Sequence, residues 1–323
     1  MSKTAALAFA IALALAVPAW AQAPEFPTKP LRLVIGTTAG GITDFLGRAL
    51  AGRLGTIVGQ PVVVENKPGA TGNVAIEFVA KSPADGHTLL LVAGGNIVIA
   101  PFLYRTLPVD PLTALAPVFN VAEAPQLLVV PGSLPVRDLR EFIAYARARP
   151  GRINYASAGV GSTTHLAADH FARLAGLDLV HVPYKGIGQA LADLLTGRVQ
   201  MLSVGLEPVR IHLETGALRA LAVGADRRLA AAPAVPTASE AGLPGYEMTT
   251  WFGIFAPAGT RPEIVGSLNA SLQIALDEPQ LQQRLVAAGI ARLGGSAQEF
   301  AERVRADSRS WGRVVREAGI HLE

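Results

Sequence analysis

A glycine-rich stretch near the middle of the chain carries several side chains that can hydrogen-bond to a ligand. Its candidate binding residues are Ser157, Gly161, Ser162, Thr163, Thr164 and His165. The pattern predicts a short strand, a glycine turn and a helix that begins near Ser162. Unpaired N–H groups and partial positive charge at a helix N-terminus favour an anion. The same residues also fit a simple Ser162 helix cap after a turn.

A second arrangement of the same kind occurs near the start of the chain. The buried-strand pattern Leu31–Ile35 leads into Thr38, Gly40 and Gly41, and a helix with Asp44 in its first turn follows. Two such turns facing each other across a cleft would hold the same small carboxylate. Asp44 is a candidate site residue, but we expect it to cap the helix and orient the loop, because its charge repels an anion.

Enzymatic motifs are weak in this sequence. Ser162 and His165 form a candidate nucleophile and base for a hydrolase, but no Gly-x-Ser-x-Gly motif surrounds the serine. No phosphate-binding loop, His-Glu-x-x-His motif or cysteine is present. We therefore predict a protein that is not an enzyme and that needs neither cofactor nor metal.

The first residues have the pattern of a cleavable secretory signal, which we assign to residues 1–23. Lys3 precedes an apolar run, and small residues alternate around Trp20. The absence of cysteine excludes a lipid anchor on a post-signal cysteine. With 28 Lys and Arg against 25 Asp and Glu, the balance does not favour a nucleic-acid surface. We expect a soluble periplasmic monomer without a lipid anchor.

Strand and helix patterns alternate through the rest of the chain and predict an α/β fold with doubly wound, mostly parallel sheets. Ligands bind at the carboxyl ends of such strands, which adds Asn96, Tyr184, Ser203 and Gly205 to the candidate site. Two capping boxes, Thr237 to Glu240 and Ser296 to Glu299, mark further helix starts. We predict two lobes joined by two crossings, with residues 24–124 and 224–323 in lobe 1 and residues 125–223 in lobe 2.

The spaced motifs resemble those of the tripartite tricarboxylate transporter substrate-binding proteins, also called the Bug family of periplasmic solute receptors. The resemblance covers essentially the whole chain after the signal. The matching segments include Pro27–Arg32, Gly40–Asp44, Gln60–Ala70, Asp85–Gly86, Asn154–Leu166, His181–Gly186, Leu218–Val223, Val235–Thr237, Gly242–Tyr246 and Trp251–Gly253.

The resemblance implies a two-lobed venus-flytrap fold that captures a small mono- or dicarboxylate. The carboxylate-holding loops of the family correspond to Thr38–Asp44 and Ser157–Thr164. The implied partner is a membrane transporter with one large and one small subunit, and a sensor protein is the alternative. Two departures affect the identity of the ligand: the first loop lacks the usual prolines, and Ser203 to Gly205 replaces a segment that often begins with Asp.

Overall fold

The computed structural model describes residues 26–104 and 107–318 of the 323-residue chain. The predicted signal, residues 1–23, lies outside the described residues. Among the helices of the described ranges, none has the length and apolar character needed to cross a membrane.

The described residues form eleven strands, numbered in chain order. They are β1 (Leu31–Ile35), β2 (Val62–Asn66), β3 (Thr88–Ala93), β4 (Leu115–Pro125), β5 (Leu127–Pro131), β6 (Asn154–Ser157), β7 (Val180–Pro183), β8 (Met201–Val204), β9 (Leu218–Val223), β10 (Thr249–Pro257) and β11 (Ala291–Arg292).

Twelve α-helices lie between and after these strands in the same described ranges. They are α1 (Ile42–Val58), α2 (Asn73–Ala80), α3 (Gly94–Val98), α4 (Ala100–Leu103), α5 (Pro111–Ala114), α6 (Leu139–Arg147), α7 (Thr163–Ala175), α8 (Ile187–Leu195), α9 (Arg210–Glu214), α10 (Pro262–Leu276), α11 (Pro279–Ala287) and α12 (Ala297–Ala318). Short 3₁₀ turns occupy Ala70–Gly72 and Glu207–Val209.

The strands form two sheets, one for each lobe. The first has the order β11-β4-β10-β3-β1-β2, and the second has the order β7-β6-β8-β5-β9. The predicted two-lobed α/β fold is confirmed, but both sheets are mixed rather than mostly parallel. Antiparallel pairing enters where β10 lies between β3 and β4, and where β5 lies between β8 and β9. β5 and β10 are the first strands after the chain crosses from one lobe to the other. Each runs antiparallel to the neighbouring strand of a βαβ unit.

Both faces of each sheet are covered, and successive residues of a strand therefore enter different cores. In β1, Leu33 and Ile35 belong to one hydrophobic cluster, whereas Val34 belongs to the cluster on the opposite face. In β5, Leu128 and Val129 divide in the same way. This double cover fixes the strand ends, from which the loops of the site project.

Three chain segments meet where the lobes join. The Gln126 N–H donates to the Met248 carbonyl at 2.8 Å, and the Gly224 N–H donates to the Gln126 carbonyl at 2.8 Å. The Met248 N–H donates back to Gly224 at 2.9 Å. Residues between Gly224 and Met248, including Leu243 and Tyr246, pack into a core of the second sheet. We therefore propose that the second crossing lies at Met248, which moves residues 224–248 from the predicted lobe 1 to lobe 2.

Candidate ligand-binding site

The first loop of the site connects β1 to α1. Gly40 has a φ of +90°, a conformation that favours glycine. Gly41 is the N-cap of α1, and no side chain caps this end of the helix. The first N–H groups of the helix, at Ile42 and Thr43, thus have no intrahelical acceptor. Both residues line a cavity.

Asp44 is buried behind this loop. Its Oδ2 accepts from the Gly40 N–H at 3.3 Å and from Arg48 Nε at 3.0 Å, and its Oδ1 accepts from Asn66 Nδ2 at 3.0 Å. Burial alone would raise the pKa of Asp44, but the hydrogen bonds from Arg48, Asn66 and Gly40 outweigh it, and the pKa is lowered. The carboxylate therefore stays charged and orients the loop instead of lining the cavity. The expected helix cap is not formed, because the backbone N–H that Asp44 accepts from belongs to Gly40, which lies before the helix.

The second loop connects β6 to α7 and is held by its own hydroxyl groups. Ser162 caps α7 by accepting from the His165 N–H at 3.2 Å, and its hydroxyl donates to the Gly159 carbonyl at 2.7 Å. Thr164 Oγ1 accepts from the Ala158 N–H at 2.9 Å. Thr163 differs, because its buried hydroxyl has no hydrogen-bond partner.

Three stacked rings support the second loop from behind. The rings of His165 and His181 are 3.9 Å apart, and Tyr155 stacks on His181 at 4.9 Å. His165 Nδ1 accepts from the Gly161 N–H at 3.1 Å, and His181 Nε2 lies 2.6 Å from Ser157 Oγ. Burial lowers the pKa of His165, and burial with the neighbouring His165 lowers the pKa of His181 to about 3. Both imidazoles are therefore neutral at neutral pH.

These hydrogen bonds disfavour the hydrolase interpretation of Ser162 and His165. The ring nitrogen of His165 accepts from Gly161, while the Ser162 hydroxyl donates to Gly159 and meets Thr164 at 3.0 Å. Each group is thus engaged in building the loop. In the described part of the chain, no group of three or more His, Asp or Glu residues could hold a metal.

A cavity lies between the two loops, and residues of both lobes line it. Its empty space is about 620 Å³, including space open to solvent. The lining residues are Thr37, Gly41, Ile42, Thr43, Thr71, Ala93, Asn96, Gln126, Ala158, Ser162, Thr163, Thr164, Ile187, Val204, Gly205, Thr250 and Phe252. None of these described lining residues is acidic, basic or histidine.

Three buried polar atoms of the cavity wall have no hydrogen-bond partner in the protein. They are Thr37 Oγ1 from the first loop, Thr163 Oγ1 from the second loop and Gln126 Oε1 from the junction of the lobes. Buried polar groups are nearly always paired, so unpaired atoms around one cavity indicate a polar ligand.

The lobes touch each other beside the cavity. Thr71 Oγ1 donates to the Val160 carbonyl at 2.9 Å, and the Tyr104 hydroxyl lies 3.3 Å from the same carbonyl. Asn96 Nδ2 donates to the Thr71 carbonyl. These contacts set the first lobe directly against the loop that precedes α7.

The structure brings some of the predicted site residues to the cavity and leaves others behind it. Those that line it are Gly41, Asn96, Ser162, Thr163, Thr164 and Gly205. Gly40, Asp44, Ser157, Gly161 and His165 support the two loops through the hydrogen bonds described above.

The remaining three predicted residues make other contacts. Thr38 packs closely against Gly186 of the second lobe. A Cβ atom added to that glycine would lie only 2.2 Å from Thr38 Oγ1. The Tyr184 hydroxyl donates to Asp193 Oδ2 at 2.7 Å, and Ser203 Oγ lies 3.2 Å from the Tyr246 hydroxyl.

Several lining residues were not predicted from the sequence, notably Thr37, Thr71, Gln126, Thr250 and Phe252. The hydroxyl of Thr37, beside the predicted Thr38, was a usable signal. Gln126 and Thr250 carried none, because neither belongs to a glycine loop or helix start and each directly precedes an apolar strand run. Their place in the site depends on how β4, β5 and β10 meet.

A cavity of this kind between two α/β lobes defines the class of periplasmic binding proteins. Residues 46–320 match the family model of the tripartite tricarboxylate transporter family receptor. The chain belongs to this family. A similar relative is the protein BugT of Bordetella pertussis, 35% identical over 303 residues that cover 94% of this chain and 93% of BugT.

Solved structures agree with this assignment. The R. palustris protein Rpa4515 with adipate is 39% identical, with a TM-score of 0.89, over 92% of this chain and all of that one. MatC from Rhodopseudomonas palustris with bound malate is 33% identical, with a TM-score of 0.85, over 90% of this chain and all of that one. The family resemblance found in the sequence is thus confirmed.

Proposed function

We propose that the protein is a periplasmic receptor that captures a small mono- or dicarboxylate between its lobes and presents it to a tripartite tricarboxylate-type transporter. One observation carries the proposal. The N-termini of α1 and α7, from different lobes, border one cavity, together with the unpaired hydroxyls of Thr37 and Thr163. Backbone and hydroxyl donors of this kind match the several acceptor sites of a carboxylate.

The electrostatics of the cavity support an anion held without a counter-cation. No lysine, arginine or histidine is among the described lining residues. A helix N-terminus carries partial positive charge, which falls off within the first turn. Two of them therefore favour one small anionic group at short range. The relatives with adipate and with malate are consistent with this chemistry.

We place the protein in the periplasm after removal of residues 1–23, as a soluble monomer without enzymatic activity. The family assignment supports a membrane transporter as the partner. A sensor protein that reads occupancy of the cavity is the second candidate for that partner.

The deciding experiment compares carboxylates with their esters. Purified protein is screened by thermal shift against adipate, malate and other small carboxylates, each beside its methyl ester. A ligand at 100 times its dissociation constant stabilises the folded state by about 2.7 kcal/mol, which is easily measured. We expect at least one acid to stabilise the protein and its ester to fail. Equal stabilisation by acid and ester would contradict the proposal.

The native ligand can be sought by a second route. Protein purified from the periplasm is denatured, and the released small molecules are identified by mass spectrometry. The same analysis of Thr163→Val tests whether the released molecule came from the cavity, because this variant removes an unpaired hydroxyl from the cavity wall at nearly constant side-chain volume. We expect the variant to carry less of the same carboxylate.

A further inference from the structure

Gln126 lies at the junction of the lobes and also lines the cavity. Its backbone makes the hydrogen bonds to Met248 and Gly224 that join the crossing segments. The residue is 2% exposed. Neither helix N-terminus that borders the cavity includes this residue, so its amide contacts a different part of the cavity from the proposed carboxylate donors.

The amide of Gln126 has a defined orientation. Its Nε2 donates to Thr250 Oγ1 at 2.9 Å and lies 3.5 Å from the Ala124 carbonyl. A flipped amide would place its oxygen against that carbonyl, and two acceptors would then face each other. The orientation therefore leaves Oε1 as the free atom, and Oε1 has no partner in the protein.

A buried acceptor without a partner favours a ligand that brings a donor. Thr250 lies on the same strand as Phe252, two residues nearer the junction, and Phe252 pairs with Ala93. Two residues of a strand span about 7 Å. The wall beside the amide is thus apolar at Phe252 and Ala93, and Gln126 presents an isolated acceptor next to it.

The lack of charged side chains among the described lining residues limits the kind of donor group that a ligand can place beside Gln126. A ligand ammonium would find no carboxylate among the described lining residues. A ligand carboxylate next to Oε1 would meet an acceptor and no basic side chain. A neutral hydroxyl or amide N–H avoids both penalties.

We propose that Gln126 is a specificity-determining residue that selects small carboxylates carrying a hydroxyl or amide donor, which donates to Gln126 Oε1. This inference rests on the proposed function, since it assumes that a carboxylate occupies the cavity. It narrows the ligand to hydroxy or amide acids.

Matched pairs of probes test the inference by isothermal titration. The pairs are malate with succinate, and 6-hydroxyhexanoate with hexanoate, each differing by one hydroxyl. We expect the hydroxy acid of at least one pair to bind about tenfold tighter than its deoxy partner, which is about 1.4 kcal/mol. In Gln126→Met, which keeps the length of the side chain and removes the acceptor, the two members should bind within about twofold of each other.

The ratio within a pair is insensitive to a general loss of affinity. Thr163→Val is the matched control, because it should weaken both members of a pair and leave their ratio unchanged. No preference in the wild-type protein, or a preference that persists in Gln126→Met, would overturn the inference. Acids that bind better than esters but without a hydroxyl preference overturn only this inference, whereas esters that bind as well as acids overturn the proposed function.

Discussion

Thr71 in the first lobe donates a hydrogen bond of 2.9 Å to the carbonyl of Val160 in the second. Thr71 is β-branched, yet its φ is +54° and its ψ is 39°. This left-handed conformation is uncommon for such a residue and costs about 1–3 kcal/mol. A strained residue thus makes a contact between the lobes, which indicates that the conformation serves closure of the cleft.

Thr71→Gly should therefore change stability and binding in opposite directions. Glycine relieves the strain, so the free energy of unfolding should rise by up to about 1 kcal/mol. Loss of the hydroxyl should weaken carboxylate binding by about 2- to 10-fold. Urea unfolding and titration with the best ligand of the thermal screen measure the two effects.

The neighbouring Ala70 is the matched control, because its φ is also positive, at +44°. Ala70→Gly should raise stability similarly without altering affinity. If Ala70→Gly and Thr71→Gly bound the ligand equally well, the hydrogen bond to Val160 would have no part in closure.

The stacked histidines predict a dependence of stability on pH. The pKa of His181 is about 3 in the folded protein, below its usual 6.5, and the pKa of His165 is lowered too. The unfolded chain then binds more protons than the folded protein in this range. The stability contributed by the neutral ring is fully present above pH 6.5 and is lost as the pH falls toward 3.

His181→Phe keeps a ring in the stack and removes its titration. Unfolding in urea at several pH values should show a slope between pH 6 and 4 that is smaller by up to about 1.4 kcal/mol per pH unit. The variant should also be less stable at pH 7, since the contact with Ser157 is lost. An unchanged slope would mean that His181 does not titrate in this way.

Asp44 should contribute stability through the loop that it orients. Asp44→Asn should lower the free energy of unfolding at pH 7 by about 1 kcal/mol, because the neutral amide loses the charge-assisted hydrogen bonds from Arg48. The pKa of Asp44 is below its usual value, so this contribution is present above pH 3.8 and is lost as the pH falls through the lowered folded-state pKa. Calorimetry of Asp44→Asn at pH 7 and pH 3 measures the change.

Glu77 offers a comparison on another helix. It pairs with Lys81 in the same i,i+4 relation as Asp44 with Arg48, but the Glu77 side chain is 35% exposed whereas that of Asp44 is 8% exposed. Glu77→Gln should therefore change stability by less than about 0.5 kcal/mol. If Glu77→Gln and Asp44→Asn lowered the free energy of unfolding equally, Asp44 would not stabilise the fold by orienting its loop.

Local signals allowed much of the fold to be predicted. The strand pattern at Leu31–Ile35 and the helix start at Ser162 are confirmed. The capping box of Ser296 and Glu299 is formed by reciprocal hydrogen bonds of 2.8 and 3.2 Å directly before α12. The box of Thr237 and Glu240 is also formed, at 2.8 and 3.1 Å, but it closes only a turn, and the helix expected there is absent from the described residues 237–248. Such features depend on residues that are close in the sequence, so their spacing is sufficient to predict them.

The missed features depend on contacts between distant segments. The pairing of β10 with both β3 and β4 made the first sheet mixed, and no local pattern records it. Gln126 reaches Thr250 across 124 residues of sequence. The sequence therefore revealed the two loops but not the wall that the junction of the lobes contributes.

Gly95 provides the final test, because it faces the second lobe. A Cβ built on Gly95 would lie 2.6 Å from Thr163 Oγ1 and 3.1 Å from the Thr163 backbone nitrogen. Gly95→Ala should therefore keep the lobes apart and weaken ligand binding by more than about tenfold, while the lobes themselves stay folded. Small-angle scattering with saturating ligand should show a larger radius of gyration than for the wild-type protein.

Gly52→Ala is the control for this test, because Gly52 is an exposed glycine of α1 with nothing within 4 Å of its Cβ position. Alanine there should add up to about 1 kcal/mol of stability without changing affinity. Wild-type affinity in Gly95→Ala would show that ligand capture does not require the close approach of Gly95 to Thr163.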